Sequence, residues 1–92
     1  MPLAIIGVRS LMVFFFNLSG AVYDPGVEGY ELTSKSAARI EAVKFAGELL
    51  RDRPDALWDG EELRVEVTDK NRRALFTIIV HGEDVPGALK FG

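Results

Sequence analysis

The sequence predicts an α+β fold in which an antiparallel sheet of two hairpins carries one helix on one face. Three patterns predict it: an apolar strand-like segment near the start, a helical segment in the middle, and an alternating hairpin after the helix. The predicted order of elements is therefore ββαββ. A chain of 92 residues has room for one small domain with one core.

The first hairpin is predicted from residues 11–18, where β-branched and aromatic side chains predominate. Both faces of this strand are largely apolar, which is typical of a strand that is covered on both sides. One face carries Phe14, Phe16 and Leu18, and the other carries Val13, Phe15 and Asn17. Turn-forming residues follow, and we expect a short strand at residues 21–23 and an extended piece at residues 30–32. The hairpin tip is acidic.

A helix is predicted from residue 35 to residue 51, with Ser34 as the N-cap and Pro54 as its limit. At 100° per residue an apolar arc runs along it, formed by Ala38, Ala42, Phe45, Ala46 and Leu49 and widened by Val43 and Leu50. Arg39 falls inside this arc, where a charge is costly unless it is paired. We therefore predict a structural ion pair between Arg39 and a carboxylate of the first hairpin, with Glu31 as the first choice.

The second hairpin has clean alternation on both strands. Leu63, Val65 and Val67 face the core on one strand, a turn follows at residues 69–72, and Phe76, Ile78 and Val80 return on the core face. We expect one domain over residues 12–81 and a C-terminal tail over residues 82–92. Residues 1–11 are predicted to be an N-terminal extension, with Met12 as a candidate native start.

Composition excludes several kinds of chemistry. The formal net charge of −3 disfavours sequence-independent binding to nucleic acid. The absence of cysteine and the presence of a single histidine exclude thiolate catalysis and the usual zinc sites. No segment has the apolar length of a membrane span. We therefore expect no cofactor, no metal, no membrane partner and no enzymatic activity.

Two surface clusters are weak candidates for ligands. The acidic tip, which contains Asp24, Glu28 and Glu31, leaves open a weak cation site together with Asp59 or Glu61, although solvated carboxylates are ordinary on turns. The second hairpin tip carries the basic residues Lys70, Arg72 and Arg73. They are the weak candidates for an alternative function, a nucleic-acid or regulatory binding domain.

Several short motifs follow one another along the chain. They are the aromatic strand Phe14-Phe15-Phe16-Asn17, the turn Glu28-Gly29-Tyr30-Glu31-Leu32, the helix segment Ala37-Ala38-Arg39 with Glu41-Ala42, and the hairpin Val65-Glu66-Val67-Thr68-Asp69. Their order and spacing resemble those of a family of small bacterial proteins catalogued as a domain of unknown function. The resemblance spans residues 12–80. It implies a small soluble domain in the bacterial cytoplasm and implies no activity.

The function that the sequence favours is a small interaction or accessory module that associates with itself or with another protein. One helix covers one face of the sheet, so the other face is left with apolar side chains. The expected interface of a homodimer consists of Val13, Phe15, Leu75 and Ile79.

Overall fold

A computed structural model of the protein describes residues 11–87. Four strands and one helix follow one another as β1 (Met12–Gly20), β2 (Tyr30–Leu32), α1 (Lys35–Asp52), β3 (Leu63–Thr68) and β4 (Ala74–Val80). A short 3-10 turn, Ala56–Asp59, lies between α1 and β3. Residues 1–10 of the predicted extension and residues 88–92 of the predicted tail lie outside the described residues.

The four strands form one antiparallel sheet in the order β2-β1-β3-β4. The two hairpins meet at its centre, where β1 pairs with β3 from Phe15 opposite Thr68 to Gly20 opposite Leu63. The helix packs against this sheet, so the predicted α+β fold with the order ββαββ is confirmed.

The core lies between α1 and the two central strands. Alternation along β1 and β3 turns six side chains toward the helix, and these are Phe14, Phe16, Leu18, Leu63, Val65 and Val67. The helix meets them with Ala38, Ala42 and Ala46, which follow one another at four-residue spacing and are all buried. Because alanine is small, the helix axis can approach the sheet closely, and the larger side chains of the helix lie to either side of this stripe.

The helix begins where the sequence predicts. The Ser34 hydroxyl accepts a hydrogen bond of 3.0 Å from the backbone N–H of Ala37, as expected of an N-cap. At the other end the backbone N–H of Arg53 donates to the Leu49 carbonyl at 2.9 Å. The helix therefore stops just before Pro54.

Two local predictions were wrong. Residues 21–23 do not form a strand, because the returning chain meets β1 only in an isolated bridge between Leu18 and Asp24. Val43 does not widen the buried arc of the helix, and 61% of its surface is exposed. The alanine stripe centres α1 over the inner strands, which leaves Val43 on the flank.

Candidate functional site

The two edges of the sheet differ in length and charge. One edge strand, β2, has three residues with Glu31 in the middle. The other, β4, has seven residues, Ala-Leu-Phe-Thr-Ile-Ile-Val, and none of them is charged or a proline. Natural proteins usually protect an edge strand by making it short or by placing charge or proline on it. By that criterion β2 is protected, whereas β4 carries neither charge nor proline. Its one irregularity in the pairing with β3 is a register shift near its start, between Val67 and Thr68.

Side chains on both faces of β4 are incompletely covered. Phe76, Ile78 and Val80 lie on the helix side, and each is only half-buried because α1 is centred over β1 and β3. On the opposite face Ile79 is 50% exposed. Leu75 is half-buried, lies at a shift in the register between β3 and β4, and packs against the core. Within residues 11–87, no strand pairs with the outer edge of β4, so this edge combines unpaired backbone groups with apolar surface on each side of the sheet.

The four residues predicted as an interface are divided by the structure. Leu75 and Ile79 belong to the exposed edge strand. Val13 and Phe15, on β1, are half-buried and covered by the chain itself. Gly29 lies so close that a Cβ atom there would be 2.7 Å from Val13 and 3.3 Å from the Phe15 ring. We therefore place the candidate interface on the edge strand β4 and not on the face of the sheet opposite the helix.

Arg72 completes the cover over Phe15. Its backbone has a φ of +64°, and the centre of its guanidinium group lies 3.7 Å from the centroid of the Phe15 ring. The same group donates a hydrogen bond of 3.3 Å to the Gly26 carbonyl. Arg72 thus joins the turn of the second hairpin to the loop of the first.

Asp69 organises the turn from which Arg72 projects. Its carboxylate accepts hydrogen bonds from the backbone N–H groups of Arg73 at 3.0 Å and Asn71 at 2.8 Å, and from the Arg73 side chain at 3.1 Å. The bond from the Arg73 backbone is the main cause that lowers the pKa of Asp69. The carboxylate therefore stays ionised to a lower pH than an isolated one.

This geometry changes the interpretation of the basic tip. Of Lys70, Arg72 and Arg73, two are engaged within the protein: Arg72 lies on Phe15, and Arg73 pairs with Asp69. Lys70 is exposed. Two of the three basic groups that the sequence suggests for nucleic-acid binding therefore make contacts within the protein.

The predicted ion pair between Arg39 and Glu31 does not form. Arg39 is exposed, and its guanidinium carbon lies 6.0 Å from the centroid of the Phe76 ring, on the β4 side of the helix. Glu31 lies on β2, at the opposite edge of the sheet. Its neighbour Tyr30 contacts Phe16 on the helix side, so strand alternation turns Glu31 to the other face.

An aromatic cleft that the sequence analysis missed lies at the β2 end of the molecule. The Phe16 and Tyr30 rings meet edge to face with centroids 5.4 Å apart, and the Phe45 ring lies 6.0 Å from Phe16. These three rings line two adjoining hollows of about 210 and 280 Å³. Strand alternation could have placed Tyr30 beside Phe16, but the position of Phe45 depends on where the helix crosses the sheet.

The described residues contain no group of three or more side chains able to hold a metal ion. Within the same part of the chain, no helix has both the length and the apolar character needed to cross a membrane.

Comparison with known proteins gives one match. The model of a family described as Domain of unknown function (DUF6894) matches residues 13–81. No curated protein and no solved structure matches significantly. The match agrees with the resemblance found in the motifs of the sequence.

Proposed function

The chain belongs to the DUF6894 family, whose function is unknown, and we propose that it is a protein-interaction module that forms a homodimer through β4. The observation that carries the proposal is the contrast between the two edges of the sheet. One edge is short and carries Glu31, whereas the other offers seven uncharged residues. On the composition of the sequence and its resemblance to bacterial proteins, we further propose that the module is not an enzyme and that it acts in the cytoplasm.

A second copy of the chain fits this edge because the strand is compatible with itself. Two antiparallel β4 strands related by a two-fold axis at Thr77, the middle residue, place Ile79 opposite Leu75 of the partner subunit and Ile78 opposite the partner's Phe76. Both pairs are apolar, and no charges oppose each other. Small domains often gain part of their stability in this way.

We do not propose the alternative function of nucleic-acid binding. Of the three basic side chains it needs, Arg73 pairs with Asp69 and Arg72 stacks on Phe15. Retention on nucleic acid that weakens with salt would favour it.

A charge placed at the two-fold axis tests the dimer. Thr77→Lys brings two ammonium groups together only in the proposed dimer, while within one chain the new lysine lies beside Glu66. We expect its dimer dissociation constant to rise at least about tenfold in sedimentation equilibrium, which corresponds to about 1.4 kcal/mol. Thr33→Lys, at an exposed residue next to β2, is the matched control and should leave the dimer unchanged.

Mixing complementary variants tests the register. Thr77→Lys and Thr77→Glu should each be mainly monomeric alone and should form a heterodimer when mixed, because opposite charges then meet at the axis. Circular dichroism of each variant shows whether it is folded. A wild-type chain that stays monomeric at tens of micromolar, or a Thr33→Lys variant that dissociates as readily as Thr77→Lys, contradicts the proposal.

A further inference from the structure

We propose that the aromatic cleft formed by Phe16, Tyr30 and Phe45 binds an arginine side chain of a basic peptide segment. This site lies at the β2 end of the molecule, away from β4, and it does not depend on self-association.

The floor and walls of the cleft are aromatic. Phe16 lies at the bottom and is 3% exposed, whereas Tyr30 is 44% exposed and Phe45 is half-buried. Ring faces attract cations because their π-electrons carry partial negative charge. The two hollows are smaller than the pockets that hold drug-sized ligands, and their size suits a single side chain.

The rim of the cleft is acidic. Glu41 and Glu48 line the hollow beside the helix, and Asp24 and Glu28 line the hollow beside the loop. Lys44 is the single basic side chain among the lining residues. Four carboxylates therefore surround an aromatic floor with one ammonium group among them.

Within residues 11–87, three of the four rim carboxylates make no salt bridge, and the fourth, Asp24, accepts a hydrogen bond of 3.0 Å from the backbone N–H of Gly26. Among the described residues, the salt bridges of the protein involve Glu62, Asp69 and Glu83, and none involves Glu28, Glu41 or Glu48. Exposed carboxylates without a partner are ordinary on protein surfaces, but here they border exposed aromatic rings. A ligand with a cationic head and a flat or apolar body satisfies both features at once.

Arginine fits these features better than lysine does. Its planar guanidinium group stacks on aromatic rings and forms two parallel hydrogen bonds with a carboxylate. The protein already contains one stack of this kind, since the Arg72 guanidinium group lies 3.7 Å from the centroid of the Phe15 ring. We infer that the partner presents an exposed arginine within an extended or helical basic segment.

The test uses a fluorescently labelled tetra-arginine peptide and measures its binding to the full chain by fluorescence anisotropy at 0.15 M salt. Tetra-citrulline, which keeps the shape of arginine without the charge, is the matched peptide, and tetra-lysine compares the two basic side chains. We expect tetra-arginine to bind at least tenfold more tightly than tetra-citrulline and more tightly than tetra-lysine.

Variants separate the cleft from general attraction to an acidic protein. Glu41→Gln with Glu48→Gln should weaken binding at least fivefold, whereas Glu61→Gln with Asp84→Asn removes as much charge from exposed positions that do not line the cleft and should change binding less than twofold. Phe45→Leu keeps an apolar side chain but removes one ring, and it should weaken tetra-arginine more than tetra-lysine.

Equal weakening by the two double variants, or equal binding of tetra-arginine and tetra-citrulline, would overturn the proposal. Thr77→Lys should bind the peptide as the wild type does, because the cleft lies away from β4. The peptide test therefore remains valid if the protein does not dimerise, and an absence of peptide binding would not contradict the dimer.

Discussion

Substitution by alanine should change the free energy of unfolding in opposite directions at two glycines, Gly47 and Gly60. A Cβ atom added at Gly47, inside α1, or at Gly60, after the 3-10 turn, would meet no atom of the described residues within 4 Å apart from its own local backbone. Only the backbone differs: Gly60 has a φ of +85°, which is left-handed, whereas Gly47 is helical. Gly47→Ala should therefore stabilise the protein by about 0.5–1 kcal/mol, since glycine costs about that much in a helix interior.

Gly60→Ala should destabilise the protein by roughly 1 kcal/mol, because alanine in the left-handed region costs about 1–2 kcal/mol and regains part of this from a less flexible unfolded chain. For a domain of 92 residues, 1 kcal/mol corresponds to a shift in Tm of about 5 °C. Thermal unfolding by circular dichroism, at one protomer concentration for all variants, measures both changes. A Tm that falls for Gly47→Ala or rises for Gly60→Ala refutes the reasoning.

Three further predictions concern the second hairpin tip and the helix. Arg72→Ala should lower the free energy of unfolding by about 0.5–2 kcal/mol, because the cover over the Phe15 ring is lost, whereas Lys70→Ala at the same turn should change it by less than about 0.5 kcal/mol in urea unfolding. The lowered pKa of Asp69 stabilises the fold above the ordinary pKa of the carboxyl group, and this contribution disappears as the pH falls through the lowered value. Asp69→Asn should therefore lose more stability at pH 6 than at pH 3, and an equal loss at both would contradict this role. Ala42→Leu should destabilise by about 1–3 kcal/mol, because Ala42 is fully buried against the sheet, and an unchanged urea midpoint would show that the helix can move outward without loss.

Local signals in the sequence predicted the elements of the fold well. Ser34 identified the start of the helix because its hydroxyl satisfies a backbone N–H that the first turn leaves free. The run of β-branched and aromatic residues identified β1. Alternation of apolar residues identified β3 and β4, since a strand with one buried face needs a period of two. These signals are local, so they did not depend on knowing how the elements pack.

Predictions that needed the relative position of two elements were less successful. The pair between Arg39 and Glu31 required the helix to lean toward β2, but Arg39 lies beside Phe76 on β4. Phe45 and Tyr30 meet at Phe16 because the alanine stripe of the helix is centred on the inner strands, and a helical wheel does not contain that information. The cover of Arg72 over Phe15 depends on a left-handed turn residue that is not a glycine, for which the sequence gives little warning.

The short strand β2 determines how far assembly can proceed. In the proposed dimer the two β4 strands lie at the centre of an eight-stranded sheet, and a β2 strand forms each outer end. Three residues with Glu31 in the middle offer a further copy few backbone partners and a repelling charge. Growth of the sheet therefore stops at two chains. The apolar, uncharged edge of β4 is covered in the dimer, so it does not start a fibre.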